Sequence, residues 1–410
     1  MNSVEVWAWN KKIGLVLQEG NQITFELSDE KYRNISPLLF ENTNIAKVNV
    51  KNIHEIGPIS DALPGGYGMD YLGKYFTDEY GRKPSIIELL SFVGRHALGA
   101  LEFKPQSSAA KIDEELYATL EELKERSRNV YEGEHDLDID KLIAISNSAA
   151  GGAKTKAVVD FNPNENKIHI AQKHDAQPKG YEKCIIKYTT NTVDDNEIKA
   201  EYLYSKLAKL CGINMSDTWL IEDNNTCYFA TKRFDIDEQG KRLHMHSFAG
   251  VIGSDASSFS TSYDALFRVG LMLGVSQSDK EQMYKLMVFN LVFSNKDDHA
   301  RNFSFLMNEE GEWKFSPAYD LTFSIHNYGA NHHQLKIDKK FASNARAISI
   351  KHVAKICEIN NPLLLIEKMI EVKYKNLVSM ADELNIEKTF TENIFIATKD
   401  FDNLFRKKEV

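Results

Sequence analysis

Residues 294–307 read SNKDDHARNFSFLM, and SPAYDLTFS follows at 316–324. Asp297 and Asn302 stand five positions apart, and Asp320 comes after FSFLM, NEEGE and WKFS, which read as a strand, a turn and a return strand. An isolated Asp in a loop after an apolar helix is usually a solvated turn residue. Here three polar residues share a spacing and an intervening hairpin, and a hairpin of that length returns the chain to about where it began. Phosphoryl transfer needs such a set: one carboxylate near the attacking hydroxyl, and an Asn plus a second carboxylate to hold a metal against the phosphates. A few oxygen ligands that leave room for substrate phosphate suit magnesium better than zinc. Asp297 is therefore read as the base, and Asn302 and Asp320 as the metal ligands.

Two upstream stretches offer phosphate donors. In SAAGGAKTKAVV, residues 148–159, Gly151, Gly152 and Ala153 form a loop whose amides can approach anionic oxygens, and Lys154 and Lys156 add charge. A tight turn before a strand is the plainer account of the same Gly-Gly pair, and the loop is neither a Walker A nor a G-x-G-x-x-G sequence. Lys187, inside the apolar strand CIIKYTT, is followed by Glu201 in the helical stretch NEIKAEYL, as in the strand-lysine and helix-glutamate pair of kinases. An edge-strand lysine would look the same. The backbone around Lys232, Arg233 and Phe234 in YFATKRFD is placed by analogy as an adenine hinge. His299 lies between the base and Asn302, where it could orient Asp297, contact phosphate or cap the loop; it has no partners at zinc spacing. The histidines at 244, 246, 326, 332 and 333 are irregularly spaced and read as solvated loop residues.

At 410 residues the chain is long for one hydrophobic core, and 42% hydrophobic with 27% charged residues is ordinary for a folded protein. No apolar run reaches the length of about eighteen residues that a membrane span needs, and MNSVEVWAWNKK has no signal-peptide pattern. Cys184, Cys211, Cys227 and Cys357 lack C-x-x-C spacing, which fits a reducing cytoplasm. A net charge of −9 disfavours autonomous binding to a phosphate backbone, and the short RKK at 406–408 reads as a basic helix end.

The first hundred residues alternate as strands, with Pro64, Gly65, Gly66 and Gly68 expected in one tight loop before a helix over 85–93. Residues 111–132 read as one charged amphipathic helix, with Leu116, Leu120 and Leu123 on a stripe. Short strands at KAVVDF, KIHIAQK, CIIKYTT, DTWLIE and CYFATKRF, with a helix ending at Gly212, describe a sheet with one helix packed on it. After residue 260 the chain turns helical, including a helix over 279–293 with a capping box at Ser278 and Glu281, and helices from Pro362 and from Thr389 to Phe405.

Taken in order, VWAWNKKIGLVL, SDALPGGYG, FVGRHALGALEF, SAAGGAKTKA, IIKY, KRFD, KDDHARNFS and SPAYDL make the chain resemble, over nearly its whole length, the HipA family of bacterial serine/threonine kinases, toxin members of type II toxin-antitoxin modules. The resemblance implies an α+β, two-lobed protein-kinase-like fold with an extra β-rich N-terminal subdomain and a helical C-terminal lobe. The expected divisions are 1–105, a helical linker over 106–140, a kinase N-lobe over 141–235 and a catalytic C-lobe over 236–410. It implies ATP and magnesium as cofactors, Lys187 as the nucleotide-phosphate contact, and autophosphorylation of Ser148, with Ser146 close enough to compete. It further implies a helix-turn-helix antitoxin through which DNA is contacted, and a protein target such as an aminoacyl-tRNA synthetase. Arg301 stands where some members have Lys, and Ala149 and Ala150 leave Ser148 as the hydroxyl of the loop proper. A small-molecule or lipid kinase, and a non-catalytic co-repressor scaffold, are the competing readings, since transfer machinery does not choose its acceptor.

Overall fold

The computed structural model describes residues 2–105, 115–132, 155–171, 177–189, 195–223, 226–255, 261–323, 333–336 and 347–405. Strands β1 (Ser3–Ala8), β2 (Lys11–Glu19), β3 (Gln22–Leu27), β4 (Ile45–Asn49) and β5 (Glu102–Lys104) form one sheet in the order β4-β3-β2-β1-β5. Alternation in β1 puts Val4, Val6 and Ala8 inside, as a sheet with one packed face requires. Helices α1 (Gly57–Ala62), α2 (Gly66–Tyr80) and α3 (Ile86–Val93) accompany it. Helix α3 starts as read, with Ser85 and Glu88 in a capping box. The glycine loop is shorter than expected: Gly66 and Gly68 already lie in α2, which Leu72 and Phe76, four residues apart on one face, bury into the core.

A second correction follows in the next unit. Residues 115–119 are a strand, β6 (Glu115–Thr119), and only Leu120–Glu132 are helical, as α4. Thr119 and Glu122 bond reciprocally, backbone N–H to side chain, and this marks where strand becomes helix. Leu120 and Leu123 are buried as the stripe requires. With β7 (Lys156–Asn162), β8 (Lys167–Ala171), β9 (Glu182–Tyr188), β10 (Thr218–Asp223) and β11 (Thr226–Lys232), β6 makes an antiparallel sheet in the order β10-β11-β9-β7-β8-β6. Helix α5 (Asp195–Leu210) lies on this sheet, where its Ile198 meets Cys227 and Phe229, and Gly212 follows at φ +71°.

The remainder is helical around a small sheet. Strand β12 (His244–Ser247) pairs with β13 (Ser304–Met307), which pairs with β14 (Trp313–Phe315). Helices α6 (Phe248–Val251), α7 (Tyr263–Met272), α8 (Gln277–Val292), α9 (Ala347–Ile356), α10 (Pro362–Glu383) and α11 (Lys388–Phe405) complete it. The capping box of α8 is Ser276 with Asp279, two residues ahead of the pair read from the sequence, so the helix gains about half a turn at its start. From Met283 onward α8 is buried nearly all round, as a central helix must be.

The N-terminal unit is bolted to this helical half through polar groups. Asp61 accepts from the Ser247 N–H (2.8 Å) and hydroxyl (2.6 Å) and lies 2.7 Å from His246 Nδ1. Helices α1 and α6 touch backbone to backbone, and a Cβ on Gly57 would overlap the Gly250 carbonyl oxygen. His244 and His246 are thus buried between the units and are not the solvated loop residues expected: His244 Nε2 bonds Ile35 O at 2.9 Å, and His246 Nε2 meets Ser36 at 3.0 Å. Among the described residues no helix is long and apolar enough to cross a membrane.

Candidate active site

The chain reaches the site at the end of α8. The last carbonyls of any helix lack partners within it, and here Lys373 donates to Val292 O (2.9 Å) and Tyr204 OH to Phe293 O (2.6 Å). Ser294 then turns the chain at φ +54°. Beneath the loop runs a buried polar chain that joins four elements. Asn295 donates to Asn290 (3.0 Å), Asn290 to the Tyr263 hydroxyl (3.0 Å), and Tyr263 to Asp298 Oδ2 (2.7 Å). Burial first, and the Asp298 charge second, hold the Tyr263 phenol well above its usual range, so it stays a donor. Asp298 also accepts the Gln334 backbone N–H at 2.7 Å and lies 2.8 Å from His333 Nδ1.

With its neighbour anchored, Asp297 points away from the core, its side chain 42% exposed. Asn302 Nδ2 donates to the Asp297 backbone carbonyl at 2.7 Å, which closes the loop between them and leaves the Asn302 amide oxygen as its remaining acceptor. His299 Nε2 is 3.9 Å from Asp297 Oδ1, and its Nδ1 is buried with no partner among the described residues. Arg301 reaches the N-terminal unit at Ser60 (3.3 Å), and its Nε likewise has no partner among the described residues.

The hairpin brings Asp320 back as the sequence reading required. Ser316 N–H bonds Ser304 O at 2.9 Å, and the hydroxyl of Tyr319 donates to Arg301 O at 2.6 Å and meets Ser304 Oγ at 2.7 Å. The residue before Asp320 therefore touches the residue before Asn302. Asp320 takes a left-handed backbone at φ +56°, a conformation that a residue with a Cβ adopts only when its surroundings impose it. Its Oδ1 lies 2.5 Å from Lys187 Nζ, and the same ammonium is 2.5 Å from Glu201 Oε1. Burial opposes the charge on Lys187, yet the two carboxylates outweigh it and raise its pKa above the ordinary lysine value.

The other expected residues divide into three groups. Lys156 is paired directly opposite Lys187 across β7 and β9, so the two side chains share a sheet face. The hinge amides at Lys232 and Arg233 are already engaged, with Asp217 O (2.9 Å) and Lys183 O (2.8 Å). Lys232 pairs with Glu182 at 2.8 Å, while Arg233 locks onto Asp235 (2.7 Å), whose carboxylate accepts the Gly99 N–H at 2.6 Å. Phe234 is the hinge residue nearest the site, its ring 5.5 Å from that of Tyr319. Ser146, Ser148, Gly151, Gly152, Ala153 and Lys154 lie outside the described residues. Sequence reasoning missed Asp298, Asn290, Tyr263 and Gln334. Asn290 in the apolar run LMVFNLVF was the available signal, since a polar residue there must find a buried partner.

The fold and these paired groups define a two-lobed, kinase-like protein, with a lysine-bearing sheet facing a loop and hairpin that carry Asp297, Asn302 and Asp320. The model of the HipA-like C-terminal domain family matches residues 148–387, and the chain belongs to that family. It is 22% identical over 317 residues to the serine/threonine-protein kinase toxin HipA of Shewanella oneidensis, a match covering 69% of this chain and 66% of that one. A Sinorhizobium fredii protein with a provisional kinase name is 24% identical over 281 residues, covering 65% of this chain and 61% of its own length. The matches thus span just under two thirds of these relatives. A solved complex of Shewanella oneidensis HipA with HipB and operator DNA has the same fold, with a TM-score of 0.70 at 16% identity, over 99% of this chain and 100% of that one.

Proposed function

We propose that the chain is an ATP-dependent serine/threonine protein kinase that acts as a growth-inhibiting toxin. The observation that carries the proposal is the Lys187 ammonium held between Glu201 of the sheet-side helix and Asp320 of the hairpin. Such a group is placed to grip nucleotide phosphates at the junction of the two halves. The Asn302 oxygen and the Asp320 carboxylate supply the hard oxygen donors magnesium prefers, and its charge, when bound, would offset that of the phosphates. In the proposed transfer Asp297 accepts the proton of the acceptor hydroxyl as its oxygen bonds to the γ-phosphorus. The bond from that phosphorus to the bridging oxygen breaks, and ADP leaves. Arg301 lies two residues from His299 on the same short turn, and its guanidinium charge is the proposed stabiliser of a transferring phosphoryl oxygen.

The finer parts of the reading follow the family. Ser148, or Ser146, is the proposed autophosphorylation site, where about two added negative charges would oppose nucleotide phosphates and silence the enzyme. A HipB-type helix-turn-helix antitoxin is the proposed partner, carrying DNA contact that the −9 charge of this chain disfavours. A translation component such as an aminoacyl-tRNA synthetase is the proposed target, in a cytoplasmic setting. The deciding experiment is Asp297→Asn with labelled ATP and lysate proteins. Transfer should fall by about 10²–10⁴-fold, the contribution typical of a general base, with the melting temperature unchanged. Undiminished transfer to protein rules out Asp297 as the base, and label appearing only in small molecules favours the rival acceptor class.

A further inference from the structure

Residues 333–336 cross the candidate catalytic loop as a strap, and they are pinned from both sides. Tyr263 N–H donates to Lys336 O at 2.8 Å and Lys336 N–H to Thr261 O at 3.2 Å, which tie the strap to the start of α7. Asp298 holds the other end through the Gln334 N–H (2.7 Å) and His333 Nδ1 (2.8 Å). Between these anchors the Gln334 side chain extends over the loop, and its Nε2 donates to Asp297 Oδ1 at 3.3 Å. From this geometry we infer that Gln334 is a positioning residue for Asp297, an inference that rests on the kinase reading above.

The Asp297 side chain is half-exposed on its loop, and its χ angles have several staggered wells among which its contacts choose. A base acts only when its oxygen lies within hydrogen-bond reach of the acceptor hydroxyl, so rotamers that point elsewhere lower the rate. The Asn302 amide fixes the Asp297 backbone through its carbonyl, and Gln334 contacts the side chain itself. Gln334 can do so because its own backbone is anchored by the buried neighbour Asp298, whose remaining oxygen binds Tyr263. Two adjacent aspartates thus divide the work: Asp298 fixes the strap, and the strap fixes Asp297.

The test compares the full chain with Gln334→Met, which keeps length and packing but loses the donor, and Gln334→Glu, which sets a second carboxylate against Asp297. Label transfer from ATP to lysate proteins is followed at saturating magnesium-ATP, with the apparent KM for ATP and the melting temperature. Gln334→Met should lose about tenfold in maximal rate and Gln334→Glu more, with KM within twofold and melting temperature unchanged. Parent-level rates in Gln334→Met, or losses that track a fall in melting temperature, overturn the inference. A parent that transfers phosphate, loses it in Asp297→Asn and keeps it in Gln334→Met defeats this inference alone. A parent that transfers none defeats the kinase reading and this inference together.

Discussion

Two buried lysines hold the molecule together in opposite ways. Lys373 on α10 is fully buried against Asp402 of α11 (2.6 and 2.7 Å), with Thr398 at 2.7 Å and Val292 O at 2.9 Å. Among the described residues this cation meets one carboxylate and two neutral acceptors. Lys187 instead lies between two carboxylates, and one of them, Asp320, is a third exposed on a strained backbone. A closed pair stabilises a fold. Among the described residues the Lys187 group sets two carboxylates against one ammonium, with Asp320 partly exposed, and its backbone strain is what a functional position tolerates. The closed pair also serves the open one, because Lys373 caps the helix that delivers the loop to Asp297.

The comparison breaks most visibly at Asp402. Asp402→Ala leaves the Lys373 charge buried without its carboxylate and should cost about 3–5 kcal/mol in denaturant unfolding. A loss under about 1 kcal/mol would show the pair to be no more than packing. Acid gives the next effect in size, through buried groups that shed charge instead of pairing it. Burial, and then the Arg242 and Arg95 charges, push His96 down to about 3; burial, and then His246, push His244 down to about 3. An unfolded histidine protonates near 6.5, so the unfolded chain takes up protons first as pH falls. Stability from these two is complete above about pH 6.5 and is lost progressively towards pH 3. Melting temperature against pH should show that slope, and His96→Asn should flatten it.

The smallest expected stability effect is at the open site. Asp320→Gly removes the left-handed strain while Lys187 keeps Glu201, so stability should stay within about 1 kcal/mol of the parent or rise. The same variant should lose the melting-temperature increase that magnesium-ATP gives the parent. A variant that keeps that increase would remove Asp320 from the proposed metal ligands.

The geometry of the candidate site was largely legible because its parts are local. Asp297 and Asn302 share one loop, and the hairpin between Asn302 and Asp320 announces itself through FSFLM, NEEGE and WKFS. The Lys187 and Glu201 pair was legible from a charged residue placed in an apolar strand. Other readings failed where two local signals compete. Leu116, Leu120 and Leu123 fit a helical stripe, yet residues 115–119 pair with β8, because a sheet edge in reach offers backbone hydrogen bonds that helix periodicity does not register. Ser278 with Glu281 and Ser276 with Asp279 are both capping boxes on paper, and the structure uses the earlier one.

The sequence by itself determined most of the strands, though not β6 or β12, together with the hairpin, the paired carboxylates and the lysine strand, since each follows from periodicity, turn chemistry or charge within a few residues. Only the tertiary structure decided that His244 and His246 are buried between units, that Asp298 is an anchor and Asp297 the exposed neighbour, and that Gln334 reaches Asp297 across 37 positions of chain. Those outcomes depend on which distant surfaces pack together. A side chain's partner at that separation is set by burial and backbone path, and no local pattern encodes it.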